Sequence, residues 1–436
     1  MWYNRGMETY FGLKAHGTTV KTEVIAGVTT FLTMAYILIV QPLTLQNAGM
    51  DFGGVFTATA IASMVGTLVM AFAARLPFAL APGMGLNAFF AFSVVIGMGK
   101  TWQFALTAVF LEGLIFLLLT GFNVREAIVN SIPTNIKRAI SVGIGLFIAF
   151  VGMQNAGMII SNDATLVSLG NFGTPAVLVA VLGLALTGVL VSLHIKGALL
   201  LGILGATVIG IPFGVTSVTE GFTLVSMPPS LAPVALQFEW TQIFTLDMLI
   251  VVFTFLFVDM FDTVGTLVGV ATKAGLIDKE GRIPRVKQAL LADAVGTTVG
   301  AMLGTSTVTT YIESASGVEE GGRTGLTALV VAILFFVALF FSQLFLLIPA
   351  AATAPALILV GVFMASPVKE LDFTDYTEAI PAFLTFILMP LTYSISEGIV
   401  FGVLSFIILK LFTGQGKQVP TLTYIVGSFF LISFFV

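Results

Sequence analysis

The chain has 436 residues, 57% of them hydrophobic and only 9% charged, with a mean hydropathy of +1.07, which excludes a water-soluble core and points to a polytopic helical membrane protein. The formal charge of -4 is spread thinly, with no basic stripe or acidic tail, so nucleic acid is not expected as a partner. There is no cysteine, and His16 and His194 stand alone, so neither disulfides, a metal cluster nor a thiol nucleophile is expected.

Residues 1–23 carry Arg5, Glu8, Lys14, Lys21 and Glu23 without a cleavable apolar stretch, and read as a cytosolic leader to the first span. At about 20 apolar residues per span, helices are expected near 22–46, 55–75, 78–98, 102–121, 137–154, 174–193, 197–211, 246–271, 287–303, 312–322, 324–342, 345–365, 379–393 and 395–412. That makes an all-α protein of fourteen segments, several of them short. The apolar stretch 420–436 reads either as a further crossing or as an interfacial helix. Residues 212–244, rich in Pro, Ser, Thr and Gly and free of Lys and Arg, form the longest loop and divide the chain into halves. With the N-terminus in the cytoplasm, every Lys and Arg except Lys100 falls on the cytoplasmic side, as the positive-inside rule asks.

The halves, 22–211 and 245–413, resemble each other. VTTFLTMAY (Val28 to Tyr36) matches VFTFLFVDM (Val252 to Met260), ASMVGTLVMA (Ala62 to Ala71) matches ADAVGTTVGA (Ala292 to Ala301), and IKGALLLGIL (Ile195 to Leu204) answers ISEGIVFGVL (Ile395 to Leu404). Seven spans per half is an odd number, so the second half must be inserted upside down. This is the inverted repeat of secondary transporters, whose sites lie near the midplane where broken helices meet.

Two stretches are candidates for those breaks. From Ser306 to Tyr311 a run of Thr, Val and Tyr prefers extended backbone, then Glu313 opens a short helix of small residues. In the first half, Pro82, Gly83 and Gly85 interrupt LAPGMGLNAFFAF (Leu80 to Phe92), with Asn87 near the start of the second part. Irregular backbone at membrane depth is tolerated only where it is buried in protein or lines a water-filled cavity. The two interruptions are therefore expected to face each other around a site.

Four acids lie within the expected spans. Asp259 and Asp262 share one helix face three residues apart, Asp293 comes early in the following span, and Glu313 begins the short helix. A carboxylate at the bilayer centre costs roughly 2.5 to 3.5 kcal/mol on insertion scales, so such acids call for a functional reading. The bland alternative for Asp259 or Asp293 is a helix cap or a bond to a neighbouring hydroxyl. Carboxylates accept from ring N–H groups, backbone amides at half-helix starts donate to ring nitrogen or carbonyl, and aromatic side chains stack, so the inventory suits a neutral heterocycle with N–H donors. A protonatable acid also serves to carry a coupling proton. Of the weaker polar residues, Glu112 has no identified neighbour, Gln41 beside Pro42 reads as a bend in the first span, and His194 reads as a loop residue.

TTFLTMAYI at Thr29 to Ile37, ALAPGMGLNAFF at Ala79 to Phe90, FDTVGTLVGVA at Phe261 to Ala271, ADAVGTTVGAMLGTSTVTTYIESASGV at Ala292 to Val318 and GGRTGL at Gly321 to Leu326 together resemble the AzgA-like purine permeases of the nucleobase and ascorbate transporter superfamily. The resemblance runs nearly the whole length. It implies a core domain (22–121 and 245–342) and a gate domain (137–211 and 345–413), proton-driven symport in the cell membrane, an elevator-like movement of core against gate, often in dimers, and no cofactor beyond the proton gradient. In the uracil permease branch the corresponding acids contact the base. DTVGTL puts Asp262 in the first of those positions and TTYIES puts Glu313 in the second. Asp262 has a shorter reach than the Glu of that branch, and Ile312 stands in place of Gly, which suggests a pocket reshaped for a larger base. The expected substrate-binding residues are Glu313, Asp262, Asn87, Met84, Gly85, Thr310, Ile312 and Asp259, with Asp259, Asp293 and Glu313 in proton coupling. An anion carrier of the sulfate or bicarbonate type and a uracil permease remain as alternatives; a membrane enzyme is less favoured, because no nucleophile, base and orienting residue lie together.

Overall fold

The computed structural model describes residues 8–122, 133–217, 222–276 and 283–433. Thr19 caps the first long helix, its hydroxyl accepting from Thr22 N at 3.2 Å. That helix, α1 (Val20–Met34), is separated by a turn at Ala35 and Tyr36 from α2 (Ile37–Gln46), which carries Pro42. Asp51 caps α3 (Phe52–Val69), which widens into a π-helical turn at Met70–Ala74. The stretch near 78–98, where an interruption is expected at Pro82, Gly83 and Gly85, opens as a strand, β1 (Leu80–Pro82), and then becomes helical in α4 (Met84–Ala88) and a π-helical run to Gly97. Pro82 lacks an N–H and disfavours helical backbone at Ala81, which holds this entry extended.

The first half continues through α5 (Trp102–Phe122), α6 (Thr134–Asn155), α7 (Pro175–Ser192) and α8 (Ala198–Gly210). Between α6 and α7 stands a hairpin absent from the sequence reading, β2 (Ile159–Asn162) against β3 (Leu166–Leu169). Its turn is fixed by Asn162, whose Oδ1 accepts from Ala164 N at 2.9 Å and Thr165 N at 3.1 Å. The described part of 212–244 holds neither helix nor strand, as expected, and is pinned to the helices by Thr57 Oγ1 on Pro229 O and by Leu236 N on Met302 O.

The second half runs through α9 (Leu246–Lys273), α10 (Val286–Leu303), β4 (Val308–Thr310), α11 (Ser314–Glu319) and α12 (Gly325–Ala338). The span expected at 345–365 is divided at Leu347–Pro349 into α13 (Ser342–Leu346) and α14 (Ala350–Ala365). Then follow α15 (Tyr376–Thr392), α16 (Ile395–Phe412) and α17 (Thr421–Ser433). The helix α17 packs on α16, and Phe430 sets its ring against Phe253 and Phe257 of α9. Among the described residues, eight helices are long and apolar enough to cross a membrane, and Met84–Gly97, Ala198–Gly210 and Tyr376–Thr392 are shorter apolar helices.

Helices pack closely through small residues. A Cβ on Gly66 of α3 would lie 3.4 Å from Gly296 Cα of α10, and one on Gly145 of α6 would lie 2.6 Å from Gly361 O of α14. The first crossing carries the strands. β1 and β4 pair antiparallel, Leu80 with Thr310, Ala81 with Thr309 and Pro82 with Val308. Each interruption thus satisfies the other's backbone where water is absent. Their outer edges are closed by threonines: Thr67 Oγ1 accepts from Leu80 N at 3.0 Å and reaches Leu80 O at 3.2 Å, while Thr297 Oγ1 accepts from Val308 N at 3.1 Å and donates to Val308 O at 3.0 Å. Thr67 and Thr297 occupy matching positions of the two repeated segments.

Candidate functional site

Beside the paired strands lies a cavity of about 180 Å³. Of the expected ligand-binding residues, Met84, Gly85, Asp262, Thr310, Ile312 and Glu313 line it; Asn87 and Asp259 do not. The strands decide this. They fix the start of α4 and the segment Thr309–Glu313 side by side, and α9 passes alongside with Asp262 and Thr266 toward the same space.

Glu313 ends the β4 segment and precedes α11. Tyr36 Oη, delivered by the turn between α1 and α2, donates to Glu313 Oε1 at 2.7 Å. A hydrogen bond to one carboxylate oxygen restricts the orientation of the group at the cavity wall. Asp262 faces the start of α4: a methyl group on Gly83 would meet Asp262 Oδ2 at 3.3 Å and Thr309 Cγ2 at 2.5 Å. The first amides of a helix have no carbonyl partner within it, so this end presents donors and favours an anionic neighbour. Thr310 Oγ1 is buried in the wall without a hydrogen-bond partner. Tyr311, whose hydroxyl donates to Pro82 O at 2.6 Å, adds an aromatic face, and Phe363 adds another from α14.

The residues outside the lining form two polar groups behind it. Thr263 Oγ1 lies 3.1 Å from each of Asp259 Oδ1, Asp293 Oδ1 and Thr309 Oγ1. A hydroxyl has one hydrogen to donate, so Thr263 serves one carboxylate, and its contact with the other is a hydrogen bond only when that carboxyl carries a proton. Through Thr309 this group touches β4. Asn87 takes part in the second group: Ser306 Oγ donates to Asn87 Oδ1, and Gln41 Nε2 donates to Ser306 Oγ and Thr305 Oγ1, each at 3.0 Å. Gln41 is therefore a strand anchor as well as a neighbour of Pro42. Glu112, whose neighbour the sequence left open, accepts from Thr307 Oγ1 at 2.6 Å.

Sequence reasoning assigned no role to Tyr36, although it closes the repeated VTTFLTMAY segment, nor to Ser141 of α6, Thr266 of α9 or the α14 end at Phe363 and Met364. Ser141 and the α14 residues bear no charge and stand in ordinary apolar patterns, so only their position marks them. No group of three or more His, Cys, Asp or Glu suited to a metal occurs among the described residues.

A model of a "permease family" matches residues 21–401. The chain is 52% identical to a putative permease of Methanocaldococcus jannaschii over 98% of both chains. It is 47% identical to the guanine/hypoxanthine permease PbuG of Bacillus subtilis (98% of this chain, 99% of that one) and 45% identical to the adenine permease AdeP of Escherichia coli (98% and 95%). In fold it is similar to the transmembrane domain of a cyanobacterial bicarbonate transporter, BicA, with a TM-score of 0.64, 16% identity, and coverage of 86% of this chain and 97% of that one. The murine Solute Carrier 26 family member A9 anion transporter gives a TM-score of 0.63 at 13% identity, covering 90% and 68%. At such identities the two structures speak for the fold alone. With the family model covering most of the chain and relatives of this identity aligned end to end, the chain belongs to the permease family and is a membrane transporter, not an enzyme.

Proposed function

We propose that the chain is a proton-coupled symporter that imports purine nucleobases across the cytoplasmic membrane, driven by the proton gradient without a cofactor. The observation that carries this reading is the pairing of two carboxylates, Asp262 and Glu313, with the helix start at Gly83–Gly85 and the aromatic faces of Tyr311 and Phe363 around one cavity. Purines offer ring N–H groups to the carboxylates and accepting nitrogens to the amides. Relatives named adenine permease and guanine/hypoxanthine permease support this substrate class.

In this reading the fourteen segments form two inverted repeats with a cytoplasmic N-terminus. Matching threonines at Thr67 and Thr297 support the repeat. Residues 22–121 and 245–342 form a core that carries Tyr36, Gly83–Gly85, Asp262 and Glu313, and 137–211 with 345–413 form a gate that supplies Ser141 and Phe363. The cavity lies between them, which suits an elevator-like movement of core against gate, and the Asp259–Thr263–Asp293 group carries the coupling proton.

An anion carrier is the second reading, favoured by the fold shared with a bicarbonate transporter. Against it, the cavity is lined by two acids and by neither Lys nor Arg. Uptake of labelled adenine, guanine, hypoxanthine, xanthine and uracil into cells lacking their own permeases tests the proposal. Purine uptake that collapses with the proton gradient is expected; flux of chloride or bicarbonate without purine competition would overturn it.

A further inference from the structure

A second cavity, of about 190 Å³, lies apart from the first, where the N-terminal segment meets the end of α3, the approach to α10 and the approach to α12. Three arginines line it, Arg75, Arg285 and Arg323, together with Tyr10 and His16, and no acidic side chain among the described residues does. Among the described residues, none of the three guanidinium groups is paired with a carboxylate, whereas Arg138, Lys196 and Lys410 elsewhere are.

Two of the arginines, Arg75 and Arg323, are held by neighbouring groups. Arg75 stacks its guanidinium on the Tyr10 ring at 4.3 Å, and Tyr10 Oη in turn donates to Phe72 O at 3.1 Å, so both planes are fixed. Arg75 Nε is buried with no hydrogen-bond partner. Arg323 uses one nitrogen, Nη1, on Val318 O and Gly322 O. The nearby carboxylate of Glu23 accepts from the backbone amides of Arg323, Thr324 and Thr327 and from the Thr327 hydroxyl. Like charges gathered without a counter-charge raise one another's energy, and an anion removes that cost. Guanidinium forks match the tetrahedral oxygens of phosphate in bidentate fashion.

We propose that this cavity is a binding site for a phosphate group, carried either by an anionic lipid headgroup or by a soluble phosphate compound. Phosphate held there ties Tyr10 and the N-terminal segment to the end of α3 and to the loops before α10 and α12. The site shares no residue with the nucleobase cavity, so its existence does not rest on the substrate reading.

The test is thermal denaturation of the full chain in detergent, titrated with inorganic phosphate against chloride at matched ionic strength, and with phosphatidic acid against phosphatidylcholine. Saturable stabilisation by inorganic phosphate is expected if the ligand is soluble, and by phosphatidic acid alone if it is a lipid. In either case Arg285→Gln, an exposed position that does not threaten the fold, and Arg75→Gln should weaken the effect about tenfold or more, and Lys417→Gln should not. Absence of stabilisation by both probes, or an unchanged titration in Arg285→Gln, would overturn the proposal.

Discussion

The Tyr36 hydroxyl donates to Glu313 Oε1 at 2.7 Å, joining the turn between α1 and α2 to the segment that follows β4, residues 277 apart in the chain. Glu313 is thereby aimed before any ligand arrives. A charge-assisted hydrogen bond of this kind is worth about 1.5–3 kcal/mol. Tyr36→Phe is expected to lower kcat/KM for purine uptake by about tenfold or more, and Glu313→Gln to abolish uptake, both with melting temperatures near that of the parent. Radiolabelled uptake with parallel thermal denaturation checks this; full transport by Glu313→Gln would remove Glu313 from the site.

Gly83 lies between Thr309 of β4 and Asp262. A Cβ added there would lie 2.5 Å from Thr309 Cγ2 and 3.3 Å from Asp262 Oδ2. Gly83→Ala must push one of them, and overpacking of this order costs about 1–3 kcal/mol. The expected result is loss of purine stabilisation in a thermal-shift titration, matched by Asp262→Asn. A Gly83→Ala protein that binds purines as the parent does would show that Asp262 is not placed by this contact.

Thr263 touches Asp259 and Asp293 at 3.1 Å each, a geometry completed by one shared proton. Replacing one acid by its amide supplies a permanent donor in place of the titrating one. Asp293→Asn and Asp259→Asn are therefore expected to flatten the dependence of uptake on external pH and to leave residual exchange of unlabelled for labelled purine. An unaltered pH profile in both variants would move proton coupling elsewhere, with Glu313 the remaining candidate.

Thr67 and Thr297 each hold both backbone groups of one strand residue. Substitution by Val leaves a buried N–H and C=O without partners, at about 1–3 kcal/mol each. Thr67→Val and Thr297→Val should lower the melting temperature to a similar extent, while the Ser variants, which keep the hydroxyl, remain near the parent. Unequal losses would argue against equivalent roles in the two halves.

The amino-acid sequence determined the class, the helical periods and the existence of the two interruptions, because these follow from hydropathy, Pro and Gly placement and β-branched runs, all local properties. It also singled out Asp262 and Glu313, since an acid within an apolar span is conspicuous. It did not separate Asp262 from Asp259, three residues away on the same helix, of which one lines the cavity and the other is bonded to Thr263 behind it. Nor did it place Asn87, whose amide turns toward Ser306 and away from the cavity. Those outcomes depend on which neighbour each face of a helix meets. The same is true of Tyr36, whose value lies in a partner on another helix. The two interruptions, expected from the sequence to face each other, meet in a specific register, Ala81 against Thr309, and only tertiary pairing could fix it: buried backbone groups must find partners, and each strand is the other's nearest supply.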